Sequence, residues 1–202
     1  MTPKLLFLDW DGTLCFDYFW RSLTSKNERV REAVNFLFSE EKDLINDWLR
    51  GDFSSEEINT MISEKSGCSF DELWNSFVRD CQTMTFDSRL RESLSKIRRT
   101  SKIVLVTGNM DCFRRFTIPA LRLDDCFDDM VISCEVGYLK NEKAGQQFID
   151  IARKFRIELS DTVLIDDSDK ALKIFARLGG VTIKTSDLDK TLEVLGSLII
   201  KN

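Results

Sequence analysis

The feature that most constrains this chain is a short apolar run, Leu5–Leu8, that leads directly into two aspartates, Asp9 and Asp11. Gly12 and Thr13 follow and are typical of a turn. An apolar run of this length, bounded by turn residues, predicts a buried strand that ends in a tight loop. In an open α/β sheet, ligands bind at the carboxyl ends of the strands. The sequence therefore predicts a ligand site at the end of the first strand.

Asp9 and Asp11 place two carboxylates one residue apart. Like charges a few ångströms apart raise each other's pKa unless a cation lies between them. The pair therefore indicates a hard divalent metal with oxygen ligands, most readily Mg²⁺. Gly12 lets the backbone turn and brings amide groups close to a bound anion.

The size and charge of the chain exclude several classes of protein. Its 202 residues, 43% of them hydrophobic and 31% charged, suffice for one full domain and a modest second one. A net charge of −5 argues against a nucleic-acid or membrane partner. The first apolar run stops at Asp9, too early for a signal segment, and the six cysteines form no CxxC pair. We therefore expect a cytoplasmic protein with reduced thiols.

The chain contains no histidine. This excludes Ser-His-Asp and Cys-His nucleophile systems and histidine-ligated zinc, so acid–base chemistry must come from other side chains. Cys15 and Arg21 have the Cys-x5-Arg spacing of protein tyrosine phosphatases. The residues between them are bulky, however, and a phosphate cradle needs small residues whose amides converge. We interpret this spacing as coincidence.

Residues 15–86 have the pattern of an all-helical segment inserted between two strands. Apolar residues recur in it at helical spacing. We therefore expect an α/β core domain of residues 1–14 and 87–202 and an inserted helical domain of residues 15–86. Arg50, at a turn between two of these helices, is either a substrate contact or a solvated cation favoured by the helix dipole.

Two sequence patterns within this segment predict helix starts. Ser54 with Glu57, and Ser69 with Glu72, are capping boxes, in which hydroxyl and carboxylate satisfy first-turn amides. Farther along the chain, residues 110–127 are expected to be helical with a break at Pro119.

Four further apolar strands are predicted at residues 103–106, 130–133, 162–165 and 181–183. Polar residues follow three of these strands and, in a parallel sheet, would converge with Asp9 at one edge. They are Thr107, Gly108, Asn109, Lys140, Asp166 and Asp167.

Residues 9–14, DWDGTL, resemble the first signature of the haloacid dehalogenase superfamily, DxDG[TV][LV]. The resemblance implies a doubly wound parallel sheet of strand order 5-4-1-2-3, with the helical segment as a mobile cap over the active site. It makes Asp9 the nucleophile that becomes an aspartyl phosphate. Asp11 would be the general acid and base.

The resemblance extends to the other strand ends. It implies that Thr107, Gly108 and Asn109 bind the phosphoryl group and that a lysine neutralises its charge. Lys140 is the better match for this lysine, but Asn141 stands where proline is usual, so Lys143 is a rival.

The metal ligands follow from the same resemblance. Asp166 and Asp167 match the fourth motif of the family, with Asp167 as the direct ligand and Asp166 as its support. Together with Asp9 and Asp11 they would hold Mg²⁺.

The resemblance favours a Mg²⁺-dependent phosphomonoester hydrolase that acts on a small phosphorylated metabolite. Dehalogenases of the family lack a carboxylate at the position of Asp11, because attack on carbon needs no protonated leaving oxygen. A phosphomutase and a catalytically silent binding or regulatory module remain alternatives. A receiver domain uses similar residues, but there the acidic pair precedes the phosphoacceptor and the helical insert has no counterpart.

Overall fold

The structure, a computed structural model, describes residues 2–199 and contains a five-stranded parallel sheet flanked by helices. The strands are β1 (Leu5–Leu8), β2 (Lys102–Thr107), β3 (Asp129–Ile132), β4 (Thr162–Asp166) and β5 (Val181–Lys184). Their spatial order is β3-β2-β1-β4-β5, which confirms the predicted order of 5-4-1-2-3 counted from the other edge. Because β1 pairs with both β2 and β4, its carboxyl end lies between theirs.

The helices of the described chain lie on both faces of the sheet and in one long insertion. They are α1 (Arg21–Thr24), α2 (Glu28–Glu40), α3 (Lys42–Arg50), α4 (Ser55–Ser66), α5 (Phe70–Gln82), α6 (Ser88–Ile97), α7 (Ile118–Leu121), α8 (Ser133–Val136), α9 (Gln146–Phe155), α10 (Asp169–Arg177) and α11 (Leu188–Leu198). Within residues 2–199 we find no helix with the length and apolar character needed to cross a membrane.

Strand β1 is buried on both faces, which explains why its sequence is apolar without alternation. Leu6 and Leu8 belong to the core that includes residues of α6 and α11. On the opposite face, Phe7 makes edge-to-face contacts with Phe148 of α9 and Phe175 of α10, at ring-centroid distances of 5.3 and 5.5 Å. This double packing holds the carboxyl end of β1 rigidly in the centre of the molecule.

Helices α1–α5 form a helical insert, residues 21–82, between β1 and α6. The insert has its own apolar core, in which Trp20 and Phe77 lie 4.8 Å apart and Trp48 is fully buried. Met110 and Cys112, from the segment after β2, belong to the same core. The insert therefore packs against the edge of the sheet where the strands end.

The helix-start patterns in the insert are realised to different degrees. Ser54 and Glu57 form the complete capping box that the sequence predicts. Ser69 accepts the amide of Glu72, but the Glu72 carboxylate accepts a hydrogen bond from the Cys68 thiol. Only half of the second box is therefore present.

The helical segment after β2 differs from the predicted break at Pro119. A π-helical stretch, Phe113–Thr117, comes first, and Pro119 is the second residue of α7. Proline has no N–H group and tolerates the first turn of a helix. The irregular turn therefore lies before the proline.

Candidate active site

The ends of β1, β2 and β4 bring together residues that are far apart in the sequence. Asp9 follows β1, and its N–H still donates to the Ile165 carbonyl of β4 at 3.1 Å. Thr107 is the last residue of β2, and Asp166 is the last residue of β4. Asp9 therefore lies between the polar ends of its two neighbouring strands.

Lys140 is the cation of this site. Its Nζ lies 2.7 Å from Asp9 Oδ1 and 2.7 Å from Asp166 Oδ2, and only 11% of its side chain is exposed. Burial opposes the charge of Lys140, but the carboxylates of Asp9 and Asp166 outweigh it and raise the lysine pKa. Lys143, the rival in the sequence, has its Nζ 4.0 Å from the centroid of the Tyr138 ring. The structure thus brings Lys140, and not Lys143, to Asp9.

The carboxylates of Asp9, Asp166 and Asp167 form a compact acidic group whose ligand oxygens lie within 4.8 Å of one another. Burial and the charge of Asp9 raise the pKa of Asp167. A divalent cation would relieve both effects, and carboxylate oxygens are the donors that Mg²⁺ takes. The side chains present therefore fit Mg²⁺.

Asp166 and Asp167 differ in their surroundings. Asp166 is completely buried and receives hydrogen bonds from Lys140 Nζ and from the amide of Ser168, at 2.7 and 2.8 Å. Asp167 is exposed beside it. This arrangement leaves Asp167 as the more accessible of the two carboxylates.

Gly12 allows the first loop to lie against Asp167. Its φ is +70°, and a Cβ atom at this position would come within 2.7 Å of Asp167 Oδ2. The glycine is therefore required both for the left-handed backbone and for the space that the acidic group occupies.

Asp11 is brought to the site, but its carboxylate is not part of the compact acidic group. After Asp9 the chain leaves the strand and turns, with the amides of Leu14 and Cys15 both bonded to the Trp10 carbonyl. This turn carries Asp11 to the border of a cavity, and Asp11 is an exposed residue there. The expected set of four metal-binding carboxylates is thus only partly assembled.

Asn109 holds Asp11 in place. Its Nδ2 donates to Asp11 Oδ2 at 2.9 Å, and its Oδ1 accepts the amide of Met110 at 3.0 Å. The sequence suggested that Asn109 contacts phosphate, whereas its buried amide is already engaged on both sides.

The ionisation of Asp11 is unusual. The protein around the carboxyl removes it from much of the bulk water, and the charges of Asp9 and Asp167 add to this effect. Lys140 acts in the opposite direction, and together these influences raise the pKa of Asp11 to about 7. Asp11 can therefore exchange a proton near neutral pH.

Thr107 and Gly108 complete the polar end of β2. Thr107 Oγ1 is buried and has no hydrogen-bond partner among residues 2–199. Gly108 borders the same cavity as Asp11. A buried hydroxyl without a partner is costly, so it is available to donate to a bound anion.

A cavity of about 650 Å³ lies between the helical insert and the edge of the sheet. Asp11, Gly108 and Met110 come from the sheet side, and residues of α2 and α3 close the opposite side. The site is thus open to a ligand larger than a phosphoryl group.

Arg50 is paired with two carboxylates of the protein. Its guanidinium pairs with Glu142, with Nη2 2.5 Å from Oε1, and with Asp47 at 3.0 Å. Glu142 is a residue that sequence reasoning missed. Its partner lies 92 positions away, so no local pattern could have identified the pair.

The surroundings of Cys15 and Arg21 agree with the interpretation that their Cys-x5-Arg spacing is a coincidence and not a tyrosine phosphatase site. Burial raises the pKa of the Cys15 thiol to about 12, so it is not a nucleophilic thiolate. Arg21 donates to the backbone carbonyls of Asp80 and Thr83.

Comparisons with known proteins show the family to which this chain belongs. A family model described as haloacid dehalogenase-like hydrolase matches residues 3–179. No curated protein matches the chain by sequence. A haloacid dehalogenase family enzyme from Bacteroides thetaiotaomicron, solved with magnesium and inorganic phosphate, is 21% identical with a TM-score of 0.69, and the alignment covers 93% of this chain and 96% of that one.

Two further solved structures have the same fold. A protein from Porphyromonas gingivalis described as a predicted HAD-like family hydrolase is 16% identical, with a TM-score of 0.72 and 100% of both chains covered. A 2-haloacid dehalogenase from Pseudomonas syringae is also 16% identical, with a TM-score of 0.62 and coverage of 98% of this chain and 99% of that one. Since the family model spans nearly all of the sheet and the whole insert, the chain belongs to the haloacid dehalogenase-like hydrolases.

Proposed function

We propose that this hydrolase is a Mg²⁺-dependent phosphatase that cleaves a small phosphomonoester through an aspartyl phosphate on Asp9. The observation that carries the proposal is Lys140 Nζ at 2.7 Å from both Asp9 and Asp166, beside the carboxylate of Asp167. This arrangement suits a dianionic phosphoryl group next to a carboxylate nucleophile. The relative from Bacteroides thetaiotaomicron, solved with magnesium and phosphate, supports the same chemistry.

In the first half-reaction, a carboxylate oxygen of Asp9 attacks phosphorus as the bond between phosphorus and the ester oxygen breaks. Asp11 gives its proton to the departing oxygen, which leaves as an alcohol. Lys140 and the Thr107 hydroxyl balance the phosphoryl charge. Mg²⁺, held by Asp9 and Asp167 with Asp166 behind them, would neutralise further charge on the phosphoryl oxygens.

In the second half-reaction, Asp11 is ionised and takes a proton from water. The resulting hydroxide attacks phosphorus, inorganic phosphate leaves, and the Asp9 carboxylate is regenerated. We propose that the helical insert, as a cap domain of residues 15–86, keeps bulk water from the aspartyl phosphate until the alcohol has departed.

The carboxyl group of Asp11, as a proton donor at the site, also favours phosphate transfer over dehalogenation. Displacement of halide leaves an anion that needs no proton, whereas an alkoxide leaving group does. Burial raises the pKa of Asp11, and the side-chain amide of Asn109 directs its carboxyl. A carboxyl that holds its proton more readily than usual is suited to assist an alkoxide leaving group.

The decisive experiment measures inorganic phosphate released from p-nitrophenyl phosphate with and without Mg²⁺. We expect release that depends on Mg²⁺, and a loss of at least about a thousandfold in Asp9→Asn. Release of chloride from a 2-chloro acid, without phosphatase activity, would favour a dehalogenase.

Thermal unfolding is the control that Asp9→Asn still folds. Asp9→Asn keeps the size of the side chain, and Lys140 retains its contact with Asp166. Thermal unfolding of the variant should therefore remain cooperative. An active Asp9→Asn protein would contradict the proposed nucleophile.

A further inference from the structure

We infer that the phosphomonoester cleaved here is the ester of a predominantly apolar alcohol or phenol, whose carbon skeleton occupies the cavity under the helical insert. The inference rests on the proposed function and names the class of substrate for that same site. It excludes phosphorylated sugars and other polyhydroxylated metabolites as preferred substrates.

The cavity lies where the leaving group must be. Asp11, which would protonate the departing oxygen, borders the cavity, as does Gly108 beside the phosphate-binding Thr107. An ester with phosphorus at Asp9 and its bridging oxygen at Asp11 therefore extends its remaining atoms into this space. At about 650 Å³, the space has the size of pockets that hold small organic ligands.

The lining of the cavity is mostly apolar and comes from both the insert and the sheet. Its apolar side chains are Phe19, Val34, Phe38, Ile45, Leu49, Met84 and Met110. Such a surface gains free energy by covering hydrocarbon and offers nothing to a hydroxyl group.

The charged groups at the cavity already have partners in the protein. Asp17 Oδ2 accepts the amide of Thr85 at 2.7 Å, and Arg31 lies 2.9 Å from Glu28. Asp11 is bonded to Asn109. Because these groups are few beside the apolar side chains, most hydroxyls of a polyhydroxylated ligand would face a surface without a partner, which costs free energy.

The small hydroxyl side chains of the lining are also directed to the backbone. Thr24 Oγ1 donates to the Arg21 carbonyl at 3.5 Å, and Ser25 Oγ donates to the Ser22 carbonyl at 3.3 Å. These two hydroxyls thus serve the fold of α1. Tyr18 and Asn35 also border the cavity and are exposed, so they are the polar side chains of the lining that remain open to a ligand.

Two phosphomonoesters of the same shape test the inference with the full chain and Mg²⁺. Cyclohexylmethyl phosphate and glucose 6-phosphate both carry a six-membered ring on a primary phosphate ester, so their leaving groups have similar chemistry. We expect kcat/KM to be at least about tenfold higher for cyclohexylmethyl phosphate, because unpaired ring hydroxyls are strongly disfavoured in an apolar pocket. An equal or higher value for glucose 6-phosphate would overturn the inference.

Helix α2 offers a matched pair of variants. Phe38 borders the cavity and is 44% exposed, whereas Phe36 is 38% exposed and packs under Lys65, whose Nζ is 3.4 Å from its ring centroid. Residues two positions apart lie on different faces of a helix. Phe38→Ser should lower kcat/KM for cyclohexylmethyl phosphate by about five- to tenfold, mainly through KM, and Phe36→Ser should change it by less than about twofold.

The outcomes separate this inference from the function on which it rests. Phosphate release from p-nitrophenyl phosphate, without a preference for cyclohexylmethyl phosphate, would overturn only the apolar substrate class. No Mg²⁺-dependent release from any of the three esters would count against the phosphatase itself. Equal effects of Phe38→Ser and Phe36→Ser would show that the cavity does not hold the leaving group.

Discussion

Arg50 of the helical insert and Glu142 of the loop that carries Lys140 form an ion pair at 2.5 Å. Glu142 Oε2 also accepts the amide of Leu139 at 2.8 Å, so its carboxylate holds the chain directly before Lys140. Because Lys140 reaches Asp9, this pair connects the insert to the proposed nucleophile. This connection predicts a positioning role for Arg50, in place of the substrate contact considered from the sequence.

Glu142→Ala should therefore lower kcat clearly and lower the free energy of unfolding only slightly. We expect kcat to fall by about tenfold, because the loop no longer holds Lys140 at Asp9. The pair is partly exposed, so the free energy of unfolding should fall by only about 1 kcal/mol. Steady-state kinetics and urea unfolding measure the two effects.

Asp47→Ala is the control for Glu142→Ala. Asp47 also pairs with Arg50, at 3.0 Å, but it lies within α3 and not on the Lys140 loop. Its kcat should stay within about twofold of the wild type. Equal losses in both variants would show that general destabilisation, and not the loop, is responsible.

Gly12→Ala should weaken Mg²⁺ binding. The new methyl group would lie 2.7 Å from Asp167 Oδ2 and would displace that ligand oxygen. We expect the Mg²⁺ concentration for half-maximal activity to rise by at least about tenfold. Titration of activity with Mg²⁺ measures this value.

Gly67→Ala separates the steric effect from the backbone effect. Gly67 has the same φ of +70°, but a Cβ there would have no atom within 4 Å. Both variants should lose about 1 kcal/mol of stability from the left-handed backbone, and only Gly12→Ala should alter the response to Mg²⁺. A normal Mg²⁺ titration for Gly12→Ala would contradict the assignment of Asp167 as a ligand.

Asn109→Ser should reveal the role of Asp11 through its dependence on the leaving group. Without the 2.9 Å hydrogen bond from Asn109, the Asp11 carboxyl is less well directed at the leaving oxygen. An alkyl phosphate needs the proton more than p-nitrophenyl phosphate does. We expect losses in kcat of about thirtyfold for the alkyl ester and about threefold for the aryl ester. Equal losses for the two esters would mean that Asn109 acts on the phosphoryl group.

Asp111 should contribute stability that disappears in acid. Burial acts to raise its pKa, but hydrogen bonds from Ser55, Arg115 and Trp48 outweigh this effect and lower the pKa below its ordinary value of 3.8. A group with a lowered folded-state pKa stabilises the protein above its unfolded pKa, and the contribution is lost as the pH falls through the folded value.

The variant Asp111→Asn tests this linkage. Urea unfolding should show a loss of about 2 kcal/mol near neutral pH, and the difference from wild type should shrink below about pH 4. Asp150→Asn is the control, because Asp150 is half exposed and lies 3.6 Å from its arginine partner. A loss for Asp111→Asn that is independent of pH would indicate lost packing rather than lost charge.

Local patterns predicted the five strands, because each is a short apolar run bounded by turn residues. Burial on both faces explains this pattern for β1, β2 and β4, whereas β3 and β5 at the two sides of the sheet are partly exposed. The run Leu5–Leu8 and the pair Asp9 and Asp11 located both the central strand and the site at its end. The strand order came from the family resemblance and is confirmed by the pairing of β1 with β2 and β4.

Side-chain pairing was less predictable than the strands. The residues next to Asn109 in the sequence do not show whether its side chain binds phosphate or a carboxylate. Its backbone is held by Ser133, whose hydroxyl accepts the backbone N–H of Asn109 at 2.9 Å. The partner of Arg50 could not be predicted from a sequence separation of 92 residues. Such contacts depend on how the insert packs against the sheet, which is a property of the whole fold.

The ion pair of Arg50 and Glu142 is partly exposed, as is that of Arg115 with Glu56 across the same boundary. Dissolved salt weakens attractions between such charges. If the insert is the cap proposed above, raising the ionic strength should therefore shorten the time that it stays closed and hasten escape of the alcohol. If that escape limits turnover, the enzyme will work faster in moderate salt than in dilute buffer.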